Sequence, residues 1–358
     1  MKKRIFILGD GKSIHLERWV KALHKDVEIG VFSFRGFTND LENLEAIKRY
    51  SSDNDHKSWL DKFGYLKNLP SLKKAIEDFK PDILHAHYAS SYGILGRLTK
   101  FHPFVISCWG SDLFEFPNIS FLTKKILKRS LKKADHILVS SKSLEQELKK
   151  YSDKKPELVY FGVDSDLFYQ KDEKVNDYFT LGQVKNLRDI YGIDLSFKVL
   201  SELKKRSEKK MKFLLAGDGE DKEKLKCLAE ELGLQDMIEW RGHLNHKELT
   251  GFYDEVDLGI YLSRAESFGV SAIECMSKGI PVIASDAPGL SEVVLNQNTG
   301  SVLAINETNL ENVVEEILKY INDRELLITH GDNARKRVLE NYTWNENVQK
   351  QIDFYKGV

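Results

Sequence analysis

The 358-residue chain is short of three things: cysteine, long apolar runs and an excess of charge of one sign. Its three cysteines, Cys108, Cys227 and Cys275, are odd in number and unclustered. They have no metal-ligand spacing, and they fit a reducing, cytoplasmic setting. No apolar run approaches the roughly 20 residues needed to cross a bilayer. The start carries basic residues and then only four apolar ones, Ile5 to Leu8, where a secretory signal has an apolar core about twice as long. The expectation is a chain in solution, or one lying on the inner face of a membrane without spanning it. Net charge is −1 with histidine neutral. That weighs against a nucleic-acid partner, because such proteins draw much of their affinity from a basic face.

What is present is ordinary in bulk and patterned in detail. An apolar share of 41% with 30% charged residues suits a soluble globular protein, and the length allows about two domains. Short β-branched runs alternate with helical-period segments. Strands are expected at 4–8, 27–34, 83–87, 104–107, 136–139 and 158–160, and again at 178–182, 212–216, 238–241, 258–261 and 281–284. Alternation of this kind implies βαβ units and an α/β fold with two doubly wound parallel sheets. The pattern pauses over 162–176, so the boundaries are drawn at 1–168 and 169–340. A last helix within 341–358 is expected to pack back on the N-terminal domain. Ligands of such sheets sit outside the carboxyl ends of the strands, so a cleft between facing domains is the expected site.

Several tempting motifs fail on inspection. Gly9-Asp10-Gly11-Lys12-Ser13 ends like a P-loop, but Phe6 stands where its first glycine belongs. Neither Gly9-x-Gly11 nor Gly217-x-Gly219 completes a dinucleotide fingerprint, since Ile14 and Lys222 occupy the third glycine position. The amides of Gly9 and Gly11 remain candidates for a donor phosphate, the alternative being a plain strand-to-helix turn. His85-Ala86-His87 puts two imidazoles on one face of a strand end. Two ligands do not make a zinc site, so packed or supporting histidines are expected.

The strong signal is Glu266-Ser267-Phe268-Gly269-Val270 leading into a helix through Ser277, closed by Gly279 and followed by Pro281-Val282-Ile283-Ala284. Gly279 suits a helix C-cap and Pro281 cannot continue the helix. The free amides at the helix start, near Phe268–Ser271, suit a phosphate. Gly269 permits close approach of a ligand, and Glu274 within the helix can accept two hydrogen bonds from a diol.

These residues resemble a known family. Glu266-Ser-Phe-Gly-x4-Glu274-Cys-Met-x2-Gly-x-Pro-Val is similar to the E-x7-E signature of the family 4 retaining glycosyltransferases, which have the GT-B fold. Ser13-x-His15-x2-Arg18-Trp19, His85-Ala-His87, Gly110-Ser-Asp112, Gly162-Val-Asp164 and Leu215-Ala-Gly217-Asp-Gly219 resemble its other landmarks across nearly the whole chain. The resemblance implies an acceptor-binding first domain and a second that binds a nucleotide-sugar, UDP-linked, with Glu274 on the ribose hydroxyls. It implies Glu266 near the donor sugar, the Ser267–Val270 segment on donor phosphate or sugar, and Gly217 and the Gly9–Gly11 turn at the donor. Transfer to a glycan or lipid-linked acceptor hydroxyl, in surface polysaccharide or glycolipid synthesis, follows. Neither a cofactor nor a metal is expected.

The sequence departs from that pattern in two places. Gln183 and Tyr191 stand where the family has an arginine and a lysine clasping the diphosphate, which leaves Lys185 and Arg188 as the nearest cations. Trp109 replaces a histidine before Gly110-Ser111, and with His15 and His87 it forms the expected acceptor or sugar wall. Asp112 is the one carboxylate nearby that could serve as an acceptor base. A nucleotide-sugar epimerase of similar fold and a catalytically silent nucleotide-binding module are the alternatives. Finally, 121–134 carries Lys124, Lys125, Lys128, Arg129, Lys132 and Lys133 without an acidic residue. At about 100° per residue these face one side, with Leu122, Ile126, Leu127, Leu131 and Ala134 opposite. Either this is a solvated face, or it docks on an anionic membrane surface.

Overall fold

The structure is a computed structural model that describes residues 2–51, 64–170, 177–305 and 309–358. Part of the expected linker, 171–176, lies outside the described residues. The chain divides into two compact units, Met1–Tyr160 with Glu346–Val358, and Phe161–Asn345. Residues 161–168, assigned to the first domain by the loss of periodicity, therefore belong to the second unit. The reason is local pairing: the amide of Val163 donates to Tyr342 O at 2.8 Å, and that of Trp344 donates to Val163 O at 2.8 Å.

In the first unit, β1 (Arg4–Leu8), β2 (Glu28–Ser33), β3 (Ile47–Ser51), β4 (Ile83–His87), β5 (Phe104–Cys108), β6 (His136–Val139) and β7 (Glu157–Leu158) form one sheet. Their order is β3-β2-β1-β4-β5-β6-β7, and every pairing is parallel. In the second unit, β8 (Phe179–Val184), β9 (Met211–Ala216), β10 (Ile238–Gly242), β11 (Leu258–Tyr261), β12 (Val282–Ser285) and β13 (Gly300–Leu303) run β10-β9-β8-β11-β12-β13. These are parallel as well. Central strands such as β4 and β5 are buried at every residue, as expected where both faces of a parallel sheet are covered. The two strands the sequence pattern did not reveal, β3 and β13, are edges. One reads IKRYS and exposes most of its residues, and the other has only four residues.

Both sheets reverse winding direction beside their first strand, between β1 and β4 and between β8 and β11. Loops leaving neighbouring strands in opposite directions open a crevice at that point, which is where open α/β sheets hold ligands. The cores that hold these strands in place are separate. Phe6, Phe32, Phe79, Leu84 and Phe104 pack together in the first unit, and Leu181, Phe197, Phe213, Leu258 and Ile283 in the second. Burial of each such side chain contributes roughly 1.5–3 kcal/mol.

The helix Phe121–Lys133 starts with a capping box between Ser120 and Thr123 and buries Leu127, Ser130 and Leu131. Leu122, expected on the buried side, is 55% exposed. Its position in the first turn points away from the stripe that Leu127 and Leu131 set. Among the described residues, no helix is long and apolar enough to cross a membrane.

The end of β9 depends on a glycine. Gly217 has φ +133°, and a Cβ there would lie 1.8 Å from the carbonyl oxygen of Lys185. Gly217→Ala is expected to destabilise the second unit by at least about 2 kcal/mol, through strain and overpacking together. Gly233→Ala, at φ +65° with open space around it, is expected to cost only about 1 kcal/mol. Urea titration of both variants checks the difference.

Candidate functional site

In the second unit the loop after β11 and the loop after β8 meet at the winding reversal. Lys185 is the first residue after β8, and its ammonium forms an ion pair with the Glu266 carboxylate. Both side chains are largely buried, at 8% and 11% exposure. Two rings enclose the cation: the Lys185 Nζ lies 4.9 Å from the Tyr191 ring centre and 5.8 Å from that of Tyr261, close enough for attraction to the ring faces.

The helix Val270–Ser277 begins at Gly269, whose φ of +96° is left-handed. Gly269 has no side chain with which to cap the first amides, and the partial positive charge of a helix start suits an anion. Glu274 is one turn in and buried, with His246 Nδ1 3.9 Å from Oε1. The hydroxyls of Tyr253 and Tyr261 both donate to Ser271 O, at 3.0 and 3.1 Å, and fix the first turn from behind. Burial pushes both phenols well above their ordinary range, and the Glu274 charge adds to the shift. They stay protonated donors.

Two supports of this loop, Gly289 and Arg264, were not apparent in the sequence, and a third, the ring of Phe268, belongs to a residue read there only for its amide. Gly289 lies flat against it: its amide donates to Glu266 O at 3.0 Å, and a Cβ there would sit 2.4 Å from the Phe268 nitrogen. Arg264 clasps Asp194 in a bidentate pair at 2.8 and 2.7 Å, and its amide donates to Ile190 O at 2.8 Å. Phe268 is buried with its ring edge-on to Tyr342 at 5.6 Å. The only signals for these were a Pro-Gly pair just past β12 and an arginine two residues before Glu266.

Of the two candidate phosphate cations, the structure places only Lys185 at Glu266. Arg188 points elsewhere: its Nε donates to Glu220 at 3.2 Å, its side chain is half exposed, and it lines a depression of about 470 Å³ with Asp221, Lys224 and Leu225. Gln183 is fully buried, accepting from Ser196 Oγ at 3.0 Å and donating to Tyr191 O at 3.4 Å. It secures the 185–191 loop from within. Gly217 contributes by pressing on Lys185, and Gly219 by pressing on Leu187, so their part is to set the loop's path.

In the first unit, the wall residues gather at the other winding reversal. The Trp109 ring lies 4.4 Å from His87, 5.3 Å from Tyr88 and 6.3 Å from His15. Two expectations change here. The amides of Gly9 and Gly11 donate to Phe32 O at 3.1 Å and Ser33 Oγ at 2.9 Å, so the turn is held by its own fold and does not offer them to an anion. Asp112 is buried, with its oxygens accepting from the amides of Ala89 (2.8 Å), Trp109 (3.1 Å) and Gly110 (2.9 Å). Burial raises its pKa and those amides oppose the rise. It fastens the turns after β4 and β5, and it is badly placed to take a proton from an acceptor. Among the described residues, no three His, Cys, Asp or Glu side chains cluster as metal ligands.

Comparison with known proteins bears on the family and the fold. The family model for glycosyl transferases group 1 matches residues 164–337, and the glycosyl transferase 4-like model matches residues 4–141. An uncharacterized glycosyltransferase of Methanocaldococcus jannaschii is 26% identical over 348 residues, 94% of this chain and 92% of its own. Sucrose-phosphate synthase of Thermosynechococcus elongatus superposes with a TM-score of 0.83 at 18% identity, covering 99% of both chains. HepE of Anabaena, in complex with UDP and glucose, does so with a TM-score of 0.81 at 17% identity, covering 99% of this chain and 100% of that one. The fold is of the GT-B glycosyltransferase type. The chain belongs to the group 1, family 4-like glycosyltransferases.

The histidines make a pH prediction. His85 is buried, with Nδ1 2.6 Å from Tyr355 Oη and Nε2 2.8 Å from Ser107 Oγ. Burial lowers its pKa to about 3, and burial with the neighbouring His85 lowers that of His87 in the same direction. The unfolded chain therefore takes up these protons first as pH falls. For His85, stability is full above pH ~6.5 and declines towards pH ~3, by about 1.4 kcal/mol per pH unit, and His87 acts in the same direction. Between pH 6.5 and 5, His85→Gln is expected to shrink the loss by about 2 kcal/mol, read from urea midpoints at the two pH values.

Proposed function

We propose that this enzyme is a retaining transferase. It takes a UDP-linked sugar in its second unit and moves the sugar to a hydroxyl of a glycan or lipid-linked acceptor, in surface polysaccharide or glycolipid synthesis. The observation that carries the reading is the Lys185–Glu266 pair beside the helix start at Gly269 and buried Glu274, all at one winding reversal. The UDP and glucose held by the Anabaena fold neighbour support the choice of nucleotide.

In this reading Glu274 accepts both ribose hydroxyls. The diphosphate lies against the Gly269–Ser271 amides, and Lys185 turns from Glu266 to the β-phosphate. Charge develops on that phosphate as the bond from the anomeric carbon to its oxygen breaks, and Lys185 and the helix start stabilise it there. The acceptor oxygen bonds to the anomeric carbon on the face the phosphate leaves. Its proton passes to the departing phosphate oxygen, so no separate side-chain base is needed. Glu266, released from Lys185, faces the donor sugar. His15, His87 and Trp109 in the first unit supply an aromatic wall for a sugar ring. The amide and fixed positive charge are enough to hold the diphosphate without a metal, and the work is done in the cytoplasm.

Incubation with a panel of nucleotide-sugars, followed by assay for free UDP and for altered sugar, tests the reaction class. Free UDP is expected. An altered sugar without UDP release would mean an epimerase, and no change with any donor would mean a silent binding module. Glu274→Ala is expected to weaken UDP binding about 30-fold or more, the loss of hydrogen bonds to a charged group. Lys185→Ala is expected to lower kcat by about 10²–10³-fold, with Arg188→Ala within about threefold of the parent. Glu266→Gln should reduce turnover with little change in UDP affinity. Full activity in both Glu274→Ala and Lys185→Ala would sink the assignment.

A further inference from the structure

The exposed face of the helix Phe121–Lys133 has a composition that solvent alone does not explain. Eight large hydrophobic side chains are exposed among the described residues, and three of them fall within four positions: Ile119 at 56%, Phe121 at 82% and Leu122 at 55%. At about 100° per residue, Phe121 and Leu122 lie inside the arc held by Lys124, Lys125, Lys128, Arg129, Lys132 and Lys133. The apolar tip and the cations thus share one face. The opposite side, Leu127, Ser130 and Leu131, is spent on the core of the unit.

The cations are not neutralised in place. No acidic residue occurs between Phe121 and Ala134, and none of the six forms a salt bridge among the described residues. Lys124 lies 5.9 Å from the Tyr151 ring centre. Arg97, on a neighbouring helix, adds a further positive charge, and besides burial the nearby Arg129 lowers its pKa. A soluble partner with scattered acidic groups would match the charge but not the protruding Phe121. An anionic bilayer matches both, because its headgroups attract lysine and its acyl boundary takes up Phe and Leu side chains.

We infer that this helix is a membrane-docking surface, which lays Ile119, Phe121 and Leu122 into the interface of an anionic lipid bilayer with the surrounding lysines on the headgroups. The surface deepens the lipid-linked form of the acceptor reading, but binding to lipid does not depend on transfer.

Sedimentation of the full chain with phosphatidylglycerol–phosphatidylcholine vesicles, and with phosphatidylcholine vesicles alone, tests it at low and physiological salt. The chain is expected to sediment with the anionic vesicles, to remain in solution with the neutral ones, and to dissociate as salt rises. Replacing Lys125, Lys128 and Lys132 by Gln is expected to weaken partition roughly a hundredfold. Phe121→Ser with Leu122→Ser should weaken it about tenfold or more. All five are surface positions, and urea titration of each variant reports whether the first unit is intact, while UDP titration of the parent chain tests the second unit separately. Failure of the parent chain to sediment with anionic vesicles at low salt would overturn the inference, as would equal binding by either variant. Vesicle binding without UDP binding would leave this surface standing and remove the transfer reading.

Discussion

The ion pair between Lys185 and Glu266 is the contact on which the rest of the proposed donor site depends. It joins the loop after β8 to the loop after β11, the two strands between which the second sheet reverses its winding. Bringing a lysine and a carboxylate together at about one-tenth exposure is costly unless both are well held, and breaking such a pair leaves a buried charge behind. The rings of Tyr191 and Tyr261 reduce that cost for the cation. In the proposed reaction an incoming diphosphate offers Lys185 a second anion of higher charge, so the pair that holds the two loops together is also the one that a donor would rearrange.

Much of the unit's local design serves to hold that pair in register. Gly217 and Gly219 have no side chain to spare, because the carbonyls of Lys185 and Leu187 occupy the space a Cβ would need. Gly289 does the same for the Glu266–Phe268 backbone. The Arg264–Asp194 clasp fixes one flank, and buried Gln183 ties the carbonyl of Tyr191 to the strand below. Position 183, where the resemblance leads one to expect a cation, thus holds an uncharged brace, and the buried cation of this loop is Lys185, two residues on. First-unit elements follow a similar logic, with Asp112 drawing three amides of two neighbouring turns onto one carboxylate.

The alternation of strands and helices was legible because central parallel strands must be apolar throughout, as β4 and β5 are. Edge strands escape that demand: β7 and β10 still left a pattern, but β3 is charged and mostly exposed and β13 opens on Gly-Ser, and neither of these did. Glu266, Gly269 and Glu274 were legible because a loop, a helix start and a following strand each leave a local signature. The choice between Lys185 and Arg188 was not, since it turns on which way a loop pinched by distant glycines presents its side chains. The amides of Gly9 and Gly11 and the carboxylate of Asp112 are chemically competent groups, but their partners, Phe32, Ser33 and Ala89, come from other strands' ends. Spacing along one segment does not reveal such partners. Leu122 is a different case: helical spacing itself puts it among the lysines, where the structure exposes it.

A structure of this chain with UDP bound tests the central claim most directly. The account predicts the ribose hydroxyls on the Glu274 carboxylate, the β-phosphate at the amides that open the helix Val270–Ser277, and Lys185 moved from Glu266 to that phosphate. UDP seated away from Glu274, or bound there with the Lys185–Glu266 pair undisturbed and no cation on the diphosphate, would contradict it.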